Sequence, residues 1–186
     1  MVGSQQIRSI AVFVRCRSRY QMGKKHMVAA TFPACSQIIL LNNSVLDHFA
    51  AHRQTGFCKR EAGGQLFAKL DVGMLKIEVA TGPYRSDHRS RFSYRSDPGL
   101  AQREIIKKKK SGLYYCGDWH THPEDRPLAS REDLRTIATL ASRSDLRLNC
   151  VVMIIQGVLQ GAEGLAVYSS NGVAVDRWTV LGGGFL

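Results

Sequence analysis

Two histidines in the segment His120-Thr121-His122 are the side chains of this sequence best placed to bind a metal. The preceding run, Leu113 to Cys116, is short, aromatic and apolar, and it predicts a buried strand that continues toward them. Side chains two apart in a strand project from one face, so His120 and His122 should point to one side and Thr121 to the other. Pro123 lacks an N–H for the sheet, so the strand should end there.

The next carboxylate of interest is Asp133, at the start of a predicted helix after the two histidines. Ser130 is a good helix N-cap for the segment that continues to about Arg143, and Asp133 lies in the first turn, where the helix dipole favours a negative charge. A strand end with two histidines and a helix start with one aspartate can meet around a cation. The sequence therefore offers a three-ligand set.

Two neutral imidazoles and one carboxylate suit Zn²⁺, and three protein ligands leave the fourth tetrahedral position for a water, as in catalytic sites. A histidine in a strand is more often packed or solvated, and an HxH pair alone is a weak signal. The longer pattern around the pair is what favours the metal interpretation.

The pattern His-x-His-Pro, six residues, Ser, two residues, Asp, which spans residues 120–133, resembles the signature of the JAMM (MPN+) zinc metalloproteases, which include deubiquitinases. That family also uses an upstream glutamate in a Glu-x-x-Gly setting, which Glu61-Ala-Gly-Gly64 matches. The resemblance implies a single α/β JAMM/MPN domain with a mixed β-sheet flanked by helices, similar to cytidine deaminases.

The resemblance also implies the site. One Zn²⁺ per chain would be held by His120, His122 and Asp133, Glu61 would act as general base and then general acid, and Ser130 would donate to the developing oxyanion. Two neighbours of the motif, Asp118 and Trp119, are candidates either for shaping the site or for ordinary packing.

The motif with its flanks, Gly117-Asp-Trp-His-Thr-His-Pro-Glu124, looks like the bacterial branch of the family associated with antiphage operons that encode a cGAS/DncV-like nucleotidyltransferase (CBASS). That likeness implies cleavage of the nucleotidyltransferase C-terminus from lysines of target proteins. Two alternatives remain open: a JAMM peptidase that trims a ubiquitin-like or sulfur-carrier precursor, and a non-catalytic DNA-associated binding module. A zinc deaminase would need a paired-cysteine ligand set, which the sequence lacks.

Composition is that of a globular protein of one domain: 186 residues, 44% hydrophobic and 22% charged. No apolar run reaches the roughly 20 residues of a membrane helix or the length of a signal-peptide core, which predicts a cytoplasmic protein without a membrane partner. The formal net charge is +11, but residues 1–26 hold six basic and no acidic residues. Because so much of the excess lies there, a nucleic-acid partner is not favoured.

The five cysteines are odd in number and scattered, which argues against a disulfide framework; Cys116 and Cys150 should pack in core strands in reduced form. We expect three regions: a poorly ordered basic extension over 1–26, a JAMM/MPN+ domain over 27–181, and a flexible glycine-rich tail over 182–186.

Hydrophobic patterns predict the remaining elements. They are a strand at 37–41, a helix at 45–54, a hairpin of 65–70 with 74–80, a helix from Pro98 to Lys110, a strand buried on both faces at 149–155, and a final pair at 164–169 and 173–178. His48 and His52, one helical turn apart without an acidic partner, should be solvated. The arginine-rich segment 82–96 has no period and is either a solvated loop or a surface for an acidic partner, with Arg85, Arg89, Arg91 and Arg95.

Overall fold

The computed structural model describes residues 28–32, 37–71, 73–143 and 148–182. The expected extension over 1–26 and most of the expected tail, 183–186, lie outside the described residues. None of the described helices is both long and apolar enough to cross a membrane.

The described part of the chain contains three α-helices, a short 3₁₀-helix at Ala162–Gly164 and ten strands. The helices are α1 (Asn43–His52), α2 (Pro98–Lys110) and α3 (Arg131–Arg143). The strands are β1 (Val28–Thr31), β2 (Ile38–Leu41), β3 (Gly63–Asp71), β4 (Met74–Ala80), β5 (His88–Arg89), β6 (Tyr94–Arg95), β7 (Tyr114–Thr121), β8 (Val151–Gln156), β9 (Leu165–Ser170) and β10 (Val175–Leu181).

Eight of these strands form one sheet in the order β1-β10-β9-β8-β7-β3-β4-β2, which closes because β1 also pairs with β2. Strands β2 and β4 are parallel, as are β7 and β8, and the other neighbours are antiparallel. The predicted mixed sheet is confirmed. Its closure was not expected, because the closing strand β1, Val-Ala-Ala-Thr, is too short and too weakly patterned to be found by periodicity.

The helices cover the sheet on both sides. Helix α1 contributes Val45 and Phe49 to the larger apolar cluster inside the closed sheet, whereas α3 packs Ile137 on the outer face. Strand β8 contributes to both clusters. Its side chains alternate between the inner face, with Val152 and Ile154, and the outer face, which packs against α3. This confirms a strand buried on both faces.

Helix ends follow the cap chemistry of the sequence. Helix α1 starts at Asn43, two residues earlier than predicted, because Asn42 is the N-cap and its side chain accepts a hydrogen bond from the Ser44 N–H. The predicted bounds of α2 are confirmed; the side chain of Asp97 caps its start by accepting from the Leu100 N–H at 3.0 Å.

The segment 82–96 is not an irregular loop. It contains the small hairpin β5–β6, in which His88 pairs with Arg95 and Arg89 with Tyr94. Asp87 organises it by accepting hydrogen bonds from the Tyr84 N–H at 2.6 Å, the Tyr94 hydroxyl at 3.0 Å and the Asp97 N–H at 2.8 Å. A sequence pattern cannot reveal these contacts, because the Asp87 carboxylate binds groups as far along the chain as Asp97 and no periodicity marks them.

A β-bulge in β7 decides which side chains face the site. Leu66 pairs with Gly117 and Phe67 with Tyr115, so Cys116 has no partner opposite it. The extra residue reverses the alternation, because Cys116 faces the inner cluster and so does Trp119, three residues later. The bulge thereby turns Asp118, His120 and His122 to the outer face.

Gly117 is required at this bulge. Its φ of +148° is unfavourable for other residues, and a Cβ there would lie 1.7 Å from the carbonyl oxygen of Val152 on β8. Gly117→Ala should therefore lower the free energy of unfolding by about 3 kcal/mol or more, measured by chemical denaturation.

Gly112→Ala is the matched control. Gly112 also has a positive φ, +73°, but a Cβ there would meet nothing within 4 Å, so the loss should be about 1 kcal/mol. Equal losses in the two variants would contradict the steric requirement at the bulge.

Candidate active site

The end of β7 places both histidines on the side of the sheet that borders α3. His120 is the penultimate residue of the strand, and His122 stays in line because its N–H donates to the Gln156 carbonyl of the parallel neighbour β8 at 2.9 Å. Pro123 lies just beyond and ends the pairing. Both rings are half-buried.

The third polar group comes from the first turn of α3. Ser130 Oγ accepts a hydrogen bond from the Asp133 N–H at 3.1 Å, and the Asp133 carboxylate accepts one from the Ser130 N–H at 2.7 Å. This reciprocal arrangement is a capping box, so the predicted N-cap is confirmed. It fixes the Asp133 side chain in an orientation that points its carboxylate at the histidines.

The three side chains meet at one point. The Nε2 atoms of His120 and His122 lie 3.1 Å apart, and they lie 3.3 and 3.4 Å from the two Asp133 carboxylate oxygens. In a tetrahedral zinc site, ligand atoms about 2.1 Å from the ion lie about 3.4 Å from one another. The donor set and its spacing therefore fit a zinc ion held between these atoms. Within the described residues, this is the group of histidine and carboxylate side chains close enough together to hold a metal ion.

The electrostatics of the group are coupled. Burial alone would raise the pKa of Asp133, but hydrogen bonds from His120 and His122 outweigh it and hold that pKa well below its usual range. Burial opposes protonation of His122, yet Asp133 raises the pKa of His122 overall. The other ring nitrogen, Nδ1 of His122, lies 3.4 Å from Glu124, as outer carboxylates do in metal sites.

Glu61 borders the same cavity and is only 6% exposed. Its carboxyl is removed from water, and this burial raises its pKa to about 7, with a further increase from Asp133 and an opposing effect of His122. A carboxyl group with a pKa near neutrality can exchange a proton in either direction. It lies two residues before β3, whose first residue, Gly63, pairs with His120.

The cavity at this point has a volume of about 460 Å³. The predicted site residues all line it: Glu61, His120, His122, Ser130 and Asp133. Its far wall consists of apolar side chains of α3 and β8, and the β6 region contributes Phe92, Tyr94 and Arg95. The structure therefore brings together all five residues named from the sequence.

Arg89 and Arg91, expected to lie either in a solvated loop or at a partner surface, are structural. Arg89 Nε donates to the Glu61 carbonyl at 2.5 Å, while Arg91 donates to the Phe57 carbonyl and lies over the Phe57 ring at 4.3 Å. Arg85 and Arg95 are exposed, and only Arg95 borders the cavity.

The prediction that His48 and His52 are solvated is wrong. His48 Nε2 lies 2.7 Å from the Gly82 carbonyl oxygen, His52 Nδ1 lies 2.8 Å from the His48 carbonyl oxygen, and both rings pack against the fully buried Trp119. The indole N–H donates to the Thr81 carbonyl at 2.9 Å. Trp119 therefore packs in the core behind the site, and His48 and His52 pack against its indole ring.

Asp118 faces the cavity beside His120 and accepts a hydrogen bond from the Tyr115 hydroxyl at 3.0 Å. Burial raises the pKa of Asp118 to about 6. Among the cysteines, Cys116 is buried as expected and Cys150 is half-buried just before β8. The cysteines of the described residues form no disulfide bond.

Sequence reasoning missed the residues that support Glu61. Gln54 and Thr121 form buried hydrogen bonds behind it, and Ser90 accepts from the Glu61 N–H at 2.7 Å. A polar residue at the end of a helix and a threonine in a strand are common, so neither position carries a signal of its own.

Two imidazoles and a carboxylate meet at one point between a strand end and a helix start, with a buried glutamate at the same cavity. Such a group could hold one metal ion and leave a coordination position open. The family model for prokaryotic homologues of the JAB domain (Prok-JAB) matches residues 42–171. The chain belongs to this family, which confirms the resemblance drawn from the motif.

Several relatives carry the name CD-NTase/cGAS isopeptidase, and two of them match more than half of this chain. One, from Pseudomonas aeruginosa, is 29% identical over 126 residues, which span 66% of this chain and 80% of that protein. The other, from Escherichia coli, is 27% identical over 101 residues, 53% of this chain and 65% of that protein, which is just under two thirds of its length. These names agree with the antiphage branch indicated by the residues around the motif.

The fold is similar to the solution structure of a Desulfitobacterium hafniense protein. The match has a TM-score of 0.55 at 20% identity and covers 74% of this chain and 87% of that one. At this identity the likeness concerns the fold alone.

Replacing Asp133 tests the metal assignment directly. Asp133→Ala removes one of three ligands, so zinc content should fall from about one ion per chain to near zero, measured by elemental analysis after dialysis. Added zinc should raise the melting temperature of the wild type but not of the variant.

Glu132→Ala is the matched control, because Glu132 is the adjacent carboxylate of the same helical turn and is not part of the ligand group. It should keep the zinc. Retention of zinc by Asp133→Ala, or its loss in Glu132→Ala, would contradict the ligand set.

Proposed function

We propose that the protein is a zinc-dependent isopeptidase that releases a cGAS/DncV-like nucleotidyltransferase, joined through its C-terminus, from lysine side chains of target proteins. The observation that carries the proposal is the meeting of His120, His122 and Asp133 with a buried Glu61 at one cavity. The names of the two relatives support this substrate, and antiphage defence in the cytoplasm is the setting we infer.

His120, His122 and Asp133 would hold the ion. A zinc ion bound there supplies Lewis acidity, which polarises a carbonyl group and makes a water more acidic. The protein's own part is to keep the imidazole nitrogens and the carboxylate within 3.1 to 3.4 Å of one another before the ion arrives. The capping box and the β7–β8 pairing provide this preorganisation.

Glu61 would move the proton. It accepts a proton from the attacking water and then delivers it to the departing lysine amine, so that one carboxyl acts as general base and then as general acid. Its burial favours this exchange, because a pKa of about 7 makes the Glu61 carboxylate a stronger base toward the water than an ordinary glutamate, while the protonated form can still donate at neutral pH.

Ser130 would stabilise the tetrahedral oxyanion. Its oxygen accepts the Asp133 N–H, and its hydroxyl, which lines the cavity and also interacts with the Asp133 carboxylate, would donate its hydrogen to the oxyanion once a substrate is bound. A donor that is already oriented in this way needs no reorganisation when the oxyanion forms.

The rim contacts are suited to a protein substrate. Phe92 is 72% exposed at the edge of the cavity, beside the exposed Arg95. An apolar ring next to a guanidinium can contact an extended peptide tail and an acidic group of a partner surface.

The glutamate role is tested with a conjugate in which the nucleotidyltransferase C-terminus is joined to a lysine of a reporter protein. The zinc-loaded wild type should cleave it, a chelator should stop cleavage, and added zinc should restore it. Glu61→Gln should keep one zinc per chain and lose at least about 1,000-fold in kcat, because the proton acceptor is gone.

The outcomes separate the alternatives. Cleavage of a ubiquitin-like or sulfur-carrier fusion in place of the nucleotidyltransferase conjugate would assign a precursor-processing or ubiquitin-like specificity. Absence of cleavage together with salt-sensitive DNA binding would favour the non-catalytic module. A fully active Glu61→Gln would contradict the role of Glu61.

The oxyanion role is tested at Ser130. Ser130→Ala should lower kcat about 100-fold with little change in KM, and should lower the free energy of unfolding by about 1 kcal/mol through loss of the cap. Ser130→Thr keeps a hydroxyl and a helix cap, so it should retain most of the kcat and most of the free energy of unfolding. If the alanine variant lost only stability, Ser130 would be a cap and no more.

A further inference from the structure

Thr121, the residue between the two histidines, makes a set of contacts that the reaction scheme does not use. Its side chain is fully buried and points away from the metal-ligand face. Thr121 Oγ1 accepts a hydrogen bond from the Ala62 N–H at 2.9 Å, and the Thr121 N–H donates to the Ala62 carbonyl at 2.8 Å. Both backbone polar groups of Ala62, the residue after Glu61, are therefore bound by this one threonine.

Gln54 completes the arrangement from the other side. The Thr121 hydroxyl donates to Gln54 Oε1 at 3.2 Å, and Gln54 Nε2 donates to the carbonyls of Lys59 at 3.2 Å and Arg91 at 2.9 Å. The Gln54 side chain is nearly buried, with both donors and its acceptor in use. It links β7 to the connection before Glu61 and to the turn of the β5–β6 hairpin.

The backbone of Glu61 itself is held by that hairpin. Its N–H donates to the Ser90 carbonyl at 2.7 Å, and its carbonyl accepts from Arg89 Nε at 2.5 Å. With the two groups of Ala62, four consecutive backbone groups around the glutamate are fixed. Two of them are fixed by the residue that stands between the metal ligands.

We propose that Thr121 and Gln54 are positioning residues for Glu61, which set its carboxyl at a constant distance from the ligand atoms of His120 and His122. This inference rests on the proposed function of Glu61 as the proton carrier. The threonine hydroxyl ties Glu61 to the same strand that carries both imidazoles, so the base and the ligands shift together. Loss of the hydroxyl leaves the Ala62 N–H and Gln54 Oε1 buried without partners, and the segment before β3 relaxes.

Thr121→Val and Thr121→Ser form the test pair, because valine keeps the shape without the hydroxyl and serine keeps the hydroxyl without the methyl group. Zinc content should remain one per chain in both. In Thr121→Val, kcat on the conjugate should fall about 10- to 100-fold with KM within about twofold, since a displaced base affects the reaction more than binding. Thr121→Ser should restore kcat to within about threefold of wild type.

Ser169→Ala is the control for stability. Ser169 is a buried hydroxyl on β9 that accepts from the Trp178 indole N–H at 2.9 Å and does not line the cavity. The Ser169→Ala variant should lose about as much stability as Thr121→Val and keep the kcat of the wild type. If Thr121→Val lowered kcat no more than Ser169→Ala at equal stability, the positioning role would be overturned while the proposed function stood.

A second measurement does not depend on turnover. Amide hydrogen exchange of Ala62 should be faster in Thr121→Val than in wild type and should return to wild-type protection in Thr121→Ser, with zinc bound in each case. Unchanged exchange in the valine variant would overturn the proposal. A zinc-loaded wild type that cleaves no conjugate would instead overturn the proposed function, and the exchange data would still report whether the threonine holds this segment.

Discussion

The antiparallel pairing of β3 with β7 is the constraint on which the site depends. It sets Gly63 opposite His120, and the two hydrogen bonds between Thr121 and Ala62, one to the backbone and one to the threonine hydroxyl, continue the same register by one more step toward Glu61. Gly63 permits the close approach of the two strands, because a Cβ there would lie 2.7 Å from the Trp119 carbonyl oxygen of β7. The glutamate and the histidines are far apart in sequence but share one hydrogen-bonded ladder.

Asp133 connects the helix cap to the ligand group. Its carboxylate accepts from the N-cap backbone and also faces both imidazoles, so the residue that stabilises the start of α3 is the residue that closes the three-atom group. The negative charge lies where the helix dipole favours it, and the histidines lower its pKa further. Stability of the helix start and affinity for a cation therefore draw on the same side chain.

The β5–β6 hairpin has two roles. Through Arg89 and Ser90 it binds the backbone of Glu61, and through Phe92 and Arg95 it forms part of the cavity rim. The same short hairpin therefore connects the edge of the cavity with the backbone of Glu61.

Most local elements were predicted from the sequence, because caps, prolines and hydrophobic patterns act over a few residues. The bounds of α2, the N-cap role of Ser130, and the strand character of the segment before His120 are of this kind. The family resemblance of the His-x-His-Pro pattern named the five residues that line the cavity. The kinship to cytidine deaminases implied by the resemblance stays a prediction. Other features depended on partners far along the chain: closure of the sheet by β1, the bulge at Cys116 and Gly117, the packing of His48 and His52 on Trp119, and the hydrogen bonds of Gln54 and Thr121 behind Glu61. A motif records which groups are present and how they are spaced, whereas the distance between Glu61 and the histidines is set by strand register and buried hydrogen bonds that exist only once the sheet has formed.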